Sequence, residues 1–210
     1  MSVTLNASTS SGLVQTADTS GTIELQSNGT TKLTVASGGV TANNLSLNST
    51  AITSFGGGVI TSGTVVSASS TSVDFTGIPS WVKRISVIFA GVSGSGTSSV
   101  LVQLGISTGV VTSGYVSTSI SSGGGTTAST TGFAMQNATA SNTMSGIMTI
   151  TLFDTNAWVS SHSAKNSTTI TCNGGGNVTN IGGTLDRIRI TTVNGTDTFD
   201  AGTINILYEG

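Results

Sequence analysis

The sequence predicts an all-β chain, with an antiparallel, jelly-roll-like β-sandwich at the C-terminal end and a short, extended, β-rich shaft or anchor segment before it. Three observations predict this. Ser, Thr, Val and Ile dominate while charged residues make up only 7% of the 210, and short hydroxylated or β-branched side chains suit pleated strands and turns better than helices. Apolar residues recur with a period of two in short runs. Clusters of Gly, Ser and Asn separate those runs, as at Ser93–Gly96, Ser121–Gly125 and Asn173–Gly176, and no helical segment lies between strands to build a parallel α/β sheet.

Residues 1–60 carry apolar pairs too sparse to bury a core alone. Ile23/Leu25 and Leu33/Val35 flank the turn signal Ser27-Asn28-Gly29-Thr30. A plain two-residue turn sets Leu25 against Lys32 and breaks the apolar face; a bulge or odd loop instead pairs Leu25 with Leu33 and Ile23 with Val35. A hairpin with one apolar face needs a partner, and copies of the same chain around an axis supply one. Ile23, Leu25, Leu33 and Val35 are therefore the trimerisation candidates. Residues 61–72 form a Ser/Thr/Val run, expected as a linker or an edge strand. Residues 73–210 form the sandwich. Pro79 precedes a strand with Trp81, Ile85, Val87 and Phe89 on one inward face. Further strands are expected at Val100–Leu104, Gly114–Thr118, Thr131–Gln136, Gly146–Phe153, Thr168–Cys172, Leu185–Val193 and Thr203–Tyr208. Met148, Ile150, Leu152, Ile188 and Ile190 also point inward.

The composition excludes several kinds of function. The net charge is −2 and the six basic residues are scattered, paired only at Lys83/Arg84 and Arg187/Arg189, so no basic stripe exists for nucleic acid. Cys172 is the single cysteine; it forms no internal disulfide and is expected as a reduced, partly buried thiol. The start, Met1-Ser2-Val3-Thr4-Leu5-Asn6, has no basic or apolar leader and no stretch is long enough to span a membrane, so synthesis in a cytoplasm without membrane insertion is expected. The single histidine, His162, is placed in a solvated loop after Trp158. One His and one Cys cannot hold zinc, and the oxygen-ligand pairs Asp197/Asp200 and Asp154/Asn156 read as turn formers rather than calcium ligands. The glycine runs 56–58, 123–125 and 174–176 lack the Lys-Ser/Thr of a phosphate loop and read as loop tips. No catalytic residue, cofactor or metal is expected. Loop-borne aromatic side chains suit contact with a target surface, which makes Tyr115, Trp158 and His162, with Phe133 beside them, the receptor-binding candidates.

The string from Thr16 to Val35, with Ser20-Gly21-Thr22-Ile23-Glu24-Leu25-Gln26-Ser27-Asn28-Gly29-Thr30 at its centre, resembles the shaft hairpin of tailed-bacteriophage fibre proteins. Asp74-Phe75-Thr76-Gly77-Ile78-Pro79-Ser80-Trp81-Val82-Lys83-Arg84-Ile85, together with Arg189 to Ile206, is similar to the C-terminal module of phage fibre and virion-surface proteins. The resemblance implies a homotrimeric tail fibre on the surface of a virion, made in the host cytoplasm. One end would bind other virion proteins, a tail adaptor or nozzle or the capsid, and the other a host surface glycan or protein. A capsid-bound head fibre or decoration protein is the alternative, and a polysaccharide depolymerase, needing two placed carboxylates, a further one.

Overall fold

The computed structural model describes residues 22–37, 39–42, 45–47, 50–52, 60–137 and 139–210. The Gly56–Gly58 run and the Thr16–Gly21 part of the shaft motif lie outside the described residues. The chain divides into two compact units, Met1–Phe55 and Gly56–Gly210, and every strand pairing in both is antiparallel.

In the first unit, β1 (Ile23–Ser27), β2 (Thr30–Ala36) and β3 (Gly39–Ala42) form one sheet, and β4 (Leu45–Leu47) pairs with β5 (Thr50–Ile52). Asn28 and Gly29 have φ of 50° and 70°, the paired positive values of a type I′ turn, which an Asn-Gly dipeptide tolerates. Ser27 faces Thr30 and Gln26 faces Thr31; the register then shifts, so that Leu25 meets Leu33 and Ile23 meets Val35. The bulge expected from the apolar pattern is present. It places Ile23, Leu25, Leu33 and Val35 on one face, where Val40, opposite Val35, joins them. Glu24, Gln26 and Thr31 hydrogen-bond to one another on the other face.

The second unit is the sandwich. Its strands are β6 (Thr61–Ser62), β7 (Val66–Ser67), β8 (Val73–Thr76), β9 (Arg84–Gly94), β10 (Val100–Ile106), β11 (Gly109–Val110), β12 (Tyr115–Ser121) and β13 (Thr126–Ser129). They continue with β14 (Phe133–Met135), β15 (Met144–Asp154), β16 (Ala157–Lys165), β17 (Thr171–Val178), β18 (Arg187–Thr192) and β19 (Phe199–Glu209). The larger sheet has nine strands in the order β13-β12-β17-β16-β15-β9-β19-β6, with β7 also on β19; the smaller has five, β11-β10-β18-β8 with β14 on β10. Between them lies one apolar core that takes Ile85, Val87, Phe89, Met148 and Ile150 from the larger sheet and Val102, Leu104, Ile188 and Ile190 from the smaller. Among the described residues no helix is long and apolar enough to cross a membrane.

Of the two alternatives for residues 61–72, the structure takes the edge strand: Thr61–Ser62 and Val66–Ser67 pair along β19, and Ala68 is buried. Three other expectations need correction. Trp81 does not face inward: it lies ahead of β9, 47% exposed, tilted against Tyr208 with ring centroids 5.9 Å apart. The segment after Trp158 is not a loop but strand β16, and Asn173–Gly176 is the middle of β17. Both strands were obscured because their inward positions hold Ser160, His162, Gly174 and Gly176, which carry no apolar period.

That polar stretch has a structural cause. The edge of β14 lies against the inner face of the larger sheet at β12 and β17, and an edge strand's unpaired N–H groups need acceptors. Ser117 Oγ accepts the Ala134 N–H and Ser119 Oγ the Gln136 N–H, both at 2.9 Å. Opposite these serines stand Gly176 and Gly174. A Cβ on Gly176 would sit 2.4 Å from the Val116 carbonyl oxygen, and one on Gly174 2.3 Å from that of Thr118. We expect Gly176→Ala to lower unfolding free energy by about 1–3 kcal/mol in a urea titration, the range for overpacking. Gly183→Ala, whose added carbon would find nothing nearer than 3.5 Å, should stay within about 0.5 kcal/mol. Equal effects would remove the close-approach explanation.

Candidate functional site

The three receptor-binding candidates lie in the core. Tyr115 is 1% exposed; its hydroxyl accepts the Leu104 N–H at 2.8 Å and its ring meets Phe133 edge-on at 5.1 Å. Burial raises the phenol's pKa well above its ordinary value. Trp158 is 2% exposed, with its indole Nε1 buried and unpartnered. His162 is 7% exposed. None of these rings, nor the fully buried Phe133, presents a face on which a receptor could stack. Period two explains the error: Tyr115, Trp158 and His162 each occupy inward positions of strands on which an inward neighbour two residues away is a serine, Ser117 or Ser160.

His162 Nε2 lies 2.9 Å from Ser119 Oγ, the kind of contact from which a serine hydrolase is built. Its surroundings serve packing instead. Ser119 is fully buried and its oxygen already accepts the Gln136 N–H. Nδ1 of His162, where a triad carboxylate would bind, is buried without a partner, and burial lowers the imidazole pKa to about 4. Cys172 is fully buried as a free thiol and pushed up to about 11, again by burial, which keeps it protonated and unreactive.

The carboxylates of the sandwich are similarly engaged. Asp74 forms a two-pronged pair with Arg189, at 2.8 and 2.7 Å, and raises the arginine's pKa. Glu209 pairs with Arg84 and Asp186 with Arg187. Asp197 accepts the Ser98 N–H at 3.0 Å and the Asn194 amide at 2.8 Å, bonds that hold its pKa below the ordinary carboxylate value. Asp200 is bonded to Ser93, and Asp154 Oδ1 accepts the Thr155 N–H at 2.7 Å. Among the described residues no group of three or more His, Cys, Asp or Glu side chains is placed to hold a metal.

The surface feature that the sequence did not signal is at the β15–β16 hairpin. Leu152 pairs with Trp158 and Asp154 with Ala157, so Phe153 is the extra residue of a bulge. Phe153 follows Met148, Ile150 and Leu152 at an outward position of β15, and it is 78% exposed. It forms one wall of a recess of about 360 Å³ whose other lining residues are Asp154, Ala157, Trp158, Val159, Asn177, Val178 and Thr179. Among the described residues, the side chains of Asn177 and Thr179 enter no hydrogen bond. The recess thus joins an aromatic wall to an unused amide and an unused hydroxyl.

Comparison with known proteins finds no matching family model, no matching curated protein and no matching solved structure.

Proposed function

We propose that the chain is a non-enzymatic structural protein of a tailed-bacteriophage virion, a trimeric tail fibre that attaches the particle to the bacterial host surface. One observation carries the reading: the apolar face of the β1–β3 sheet, on which Leu25 is 47% and Val40 67% exposed. A three-stranded sheet with one uncovered apolar face gains its missing burial when identical faces meet around an axis. The sandwich, built around one continuous core, supports the reading as a folded domain beside that sheet in the sequence. The engaged carboxylates and buried Ser119–His162 contact count against a depolymerase. The burial of Tyr115, Trp158 and His162 favours a second reading, a head fibre or decoration protein with the same trimer and no receptor to bind.

Sedimentation velocity of the full chain at micromolar concentration tests the assembly. A trimer is expected, and the double substitution Leu25→Lys with Leu33→Lys should convert it to monomer, because it sets like charges together on the shared face. The β-type circular dichroism spectrum should persist. A wild-type monomer overturns the trimeric reading; a trimer indifferent to the lysines moves the seam elsewhere. Adsorption of particles lacking the protein then separates the tail fibre, whose loss abolishes attachment, from the decoration protein, whose loss does not.

A further inference from the structure

We propose that the recess beside the Phe153 bulge binds a neutral sugar ring. The assignment deepens the host-attachment reading and rests on it for its biological setting; its chemistry comes from the recess. Phe153 is the most exposed large apolar side chain of the sandwich. Val159, 40% exposed, lines the same recess, and adjoining exposed apolar side chains bordered by polar groups mark contact sites. The aromatic face suits the C–H face of a pyranose. The Asn177 amide and the Thr179 hydroxyl, neither engaged within the chain, supply donors and acceptors for ring hydroxyls, and Asp154 retains a carboxylate oxygen beyond the one that holds Thr155.

The other occupants fit less well. No cation lines the recess, so nothing there compensates an anionic ligand. A peptide added as a strand needs a free sheet edge, but β15, β16 and β17 are interior strands with neighbours on both sides. A lipid chain would leave the Asn177 and Thr179 groups without partners.

Saturation-transfer NMR on the full chain tests the assignment, with cellobiose, maltose and N,N′-diacetylchitobiose as probes and an alanine–serine tetrapeptide beside them. Transfer to the ring protons of at least one sugar is expected. It should fall about five-fold or more in Phe153→Ala, as loss of an aromatic stacking partner implies, persist in Phe153→Trp, and weaken in Asn177→Ala. The exposed position lets Phe153→Ala keep the wild-type melting temperature, which serves as the folding control. No transfer to any sugar, transfer unchanged in Phe153→Ala, or transfer to the peptide alone each overturns the proposal. Sedimentation of the same sample separates the two readings: a trimer that binds no sugar overturns this assignment alone, and a monomer that binds sugar overturns the trimeric fibre alone.

Discussion

Tyr115→Ala is expected to destabilise the sandwich by about 3–5 kcal/mol, the range for deleting a buried aromatic ring, with Trp158→Ala close behind. The Tyr115 ring fills space between the two sheets against Phe133, and its hydroxyl answers the backbone N–H of Leu104 on the opposite sheet. Tyr115→Phe divides the two contributions. The ring and its packing remain, while the Leu104 N–H loses its acceptor in a buried setting, a loss of about 1–3 kcal/mol. Urea titrations of the three proteins give the answer directly. If Tyr115→Ala lies within about 0.5 kcal/mol of wild type, as a surface substitution would, the ring is not a core element. The same result bears on binding studies: lost host attachment in Tyr115→Ala or Trp158→Ala would report an unfolded head rather than a missing contact.

The second large effect is on acid stability. His162 is neutral when folded, with its pKa lowered from 6.5 to about 4 by burial; in the unfolded chain it takes up a proton near pH 6.5. Between these values the unfolded state binds a proton that the folded state refuses, so stability is full above about pH 6.5 and declines as pH falls toward 4. The slope approaches about 1.4 kcal/mol per pH unit, and the whole window is worth roughly 3 kcal/mol. No charged partner offsets the loss, since the ring's one hydrogen-bond contact is the Ser119 hydroxyl and Nδ1 has none. His162→Gln, which retains a polar group toward Ser119, should flatten this limb. The further loss as pH falls through the carboxylate range, to which Asp197 contributes through its lowered pKa, should remain. Unfolding free energies at half-unit pH steps decide the matter. Parallel decline in wild type and variant would mean that His162 reaches solvent in the folded state.

How far the fold was legible differs from strand to strand. Ile85, Val87 and Phe89 on β9, Met148 and Ile150 on β15, and Ile188 and Ile190 on β18 recur at every second residue and are buried in one core, because a strand with one dry face must write its orientation into every second residue. The β1–β2 register was legible for the same reason: a single apolar face requires a bulge or an odd loop at the turn, and the structure has the bulge. The expectation failed where the inner face is polar. Along β12, β16 and β17 the inward positions include Ser117, Ser119, Ser160, His162, Gly174 and Gly176, whose period is the same but whose chemistry resembles that of loops. The serines are inside because β14 brings backbone N–H groups to that face, and the glycines because neighbouring backbone leaves no room for a Cβ. Neither reason is local.

The sequence by itself therefore determined the all-β class, the apolar faces of the core strands and the register of the first hairpin. All three follow from the period-two rule and from turn stereochemistry, which act over a few neighbouring residues. The tertiary structure alone decided that Tyr115, Trp158 and His162 are interior, that Trp81 is outside, and that Asn177 and Thr179 line one recess with the outward Phe153. Burial depends on what the opposite sheet places over a side chain, and a shared recess on which strands lie side by side.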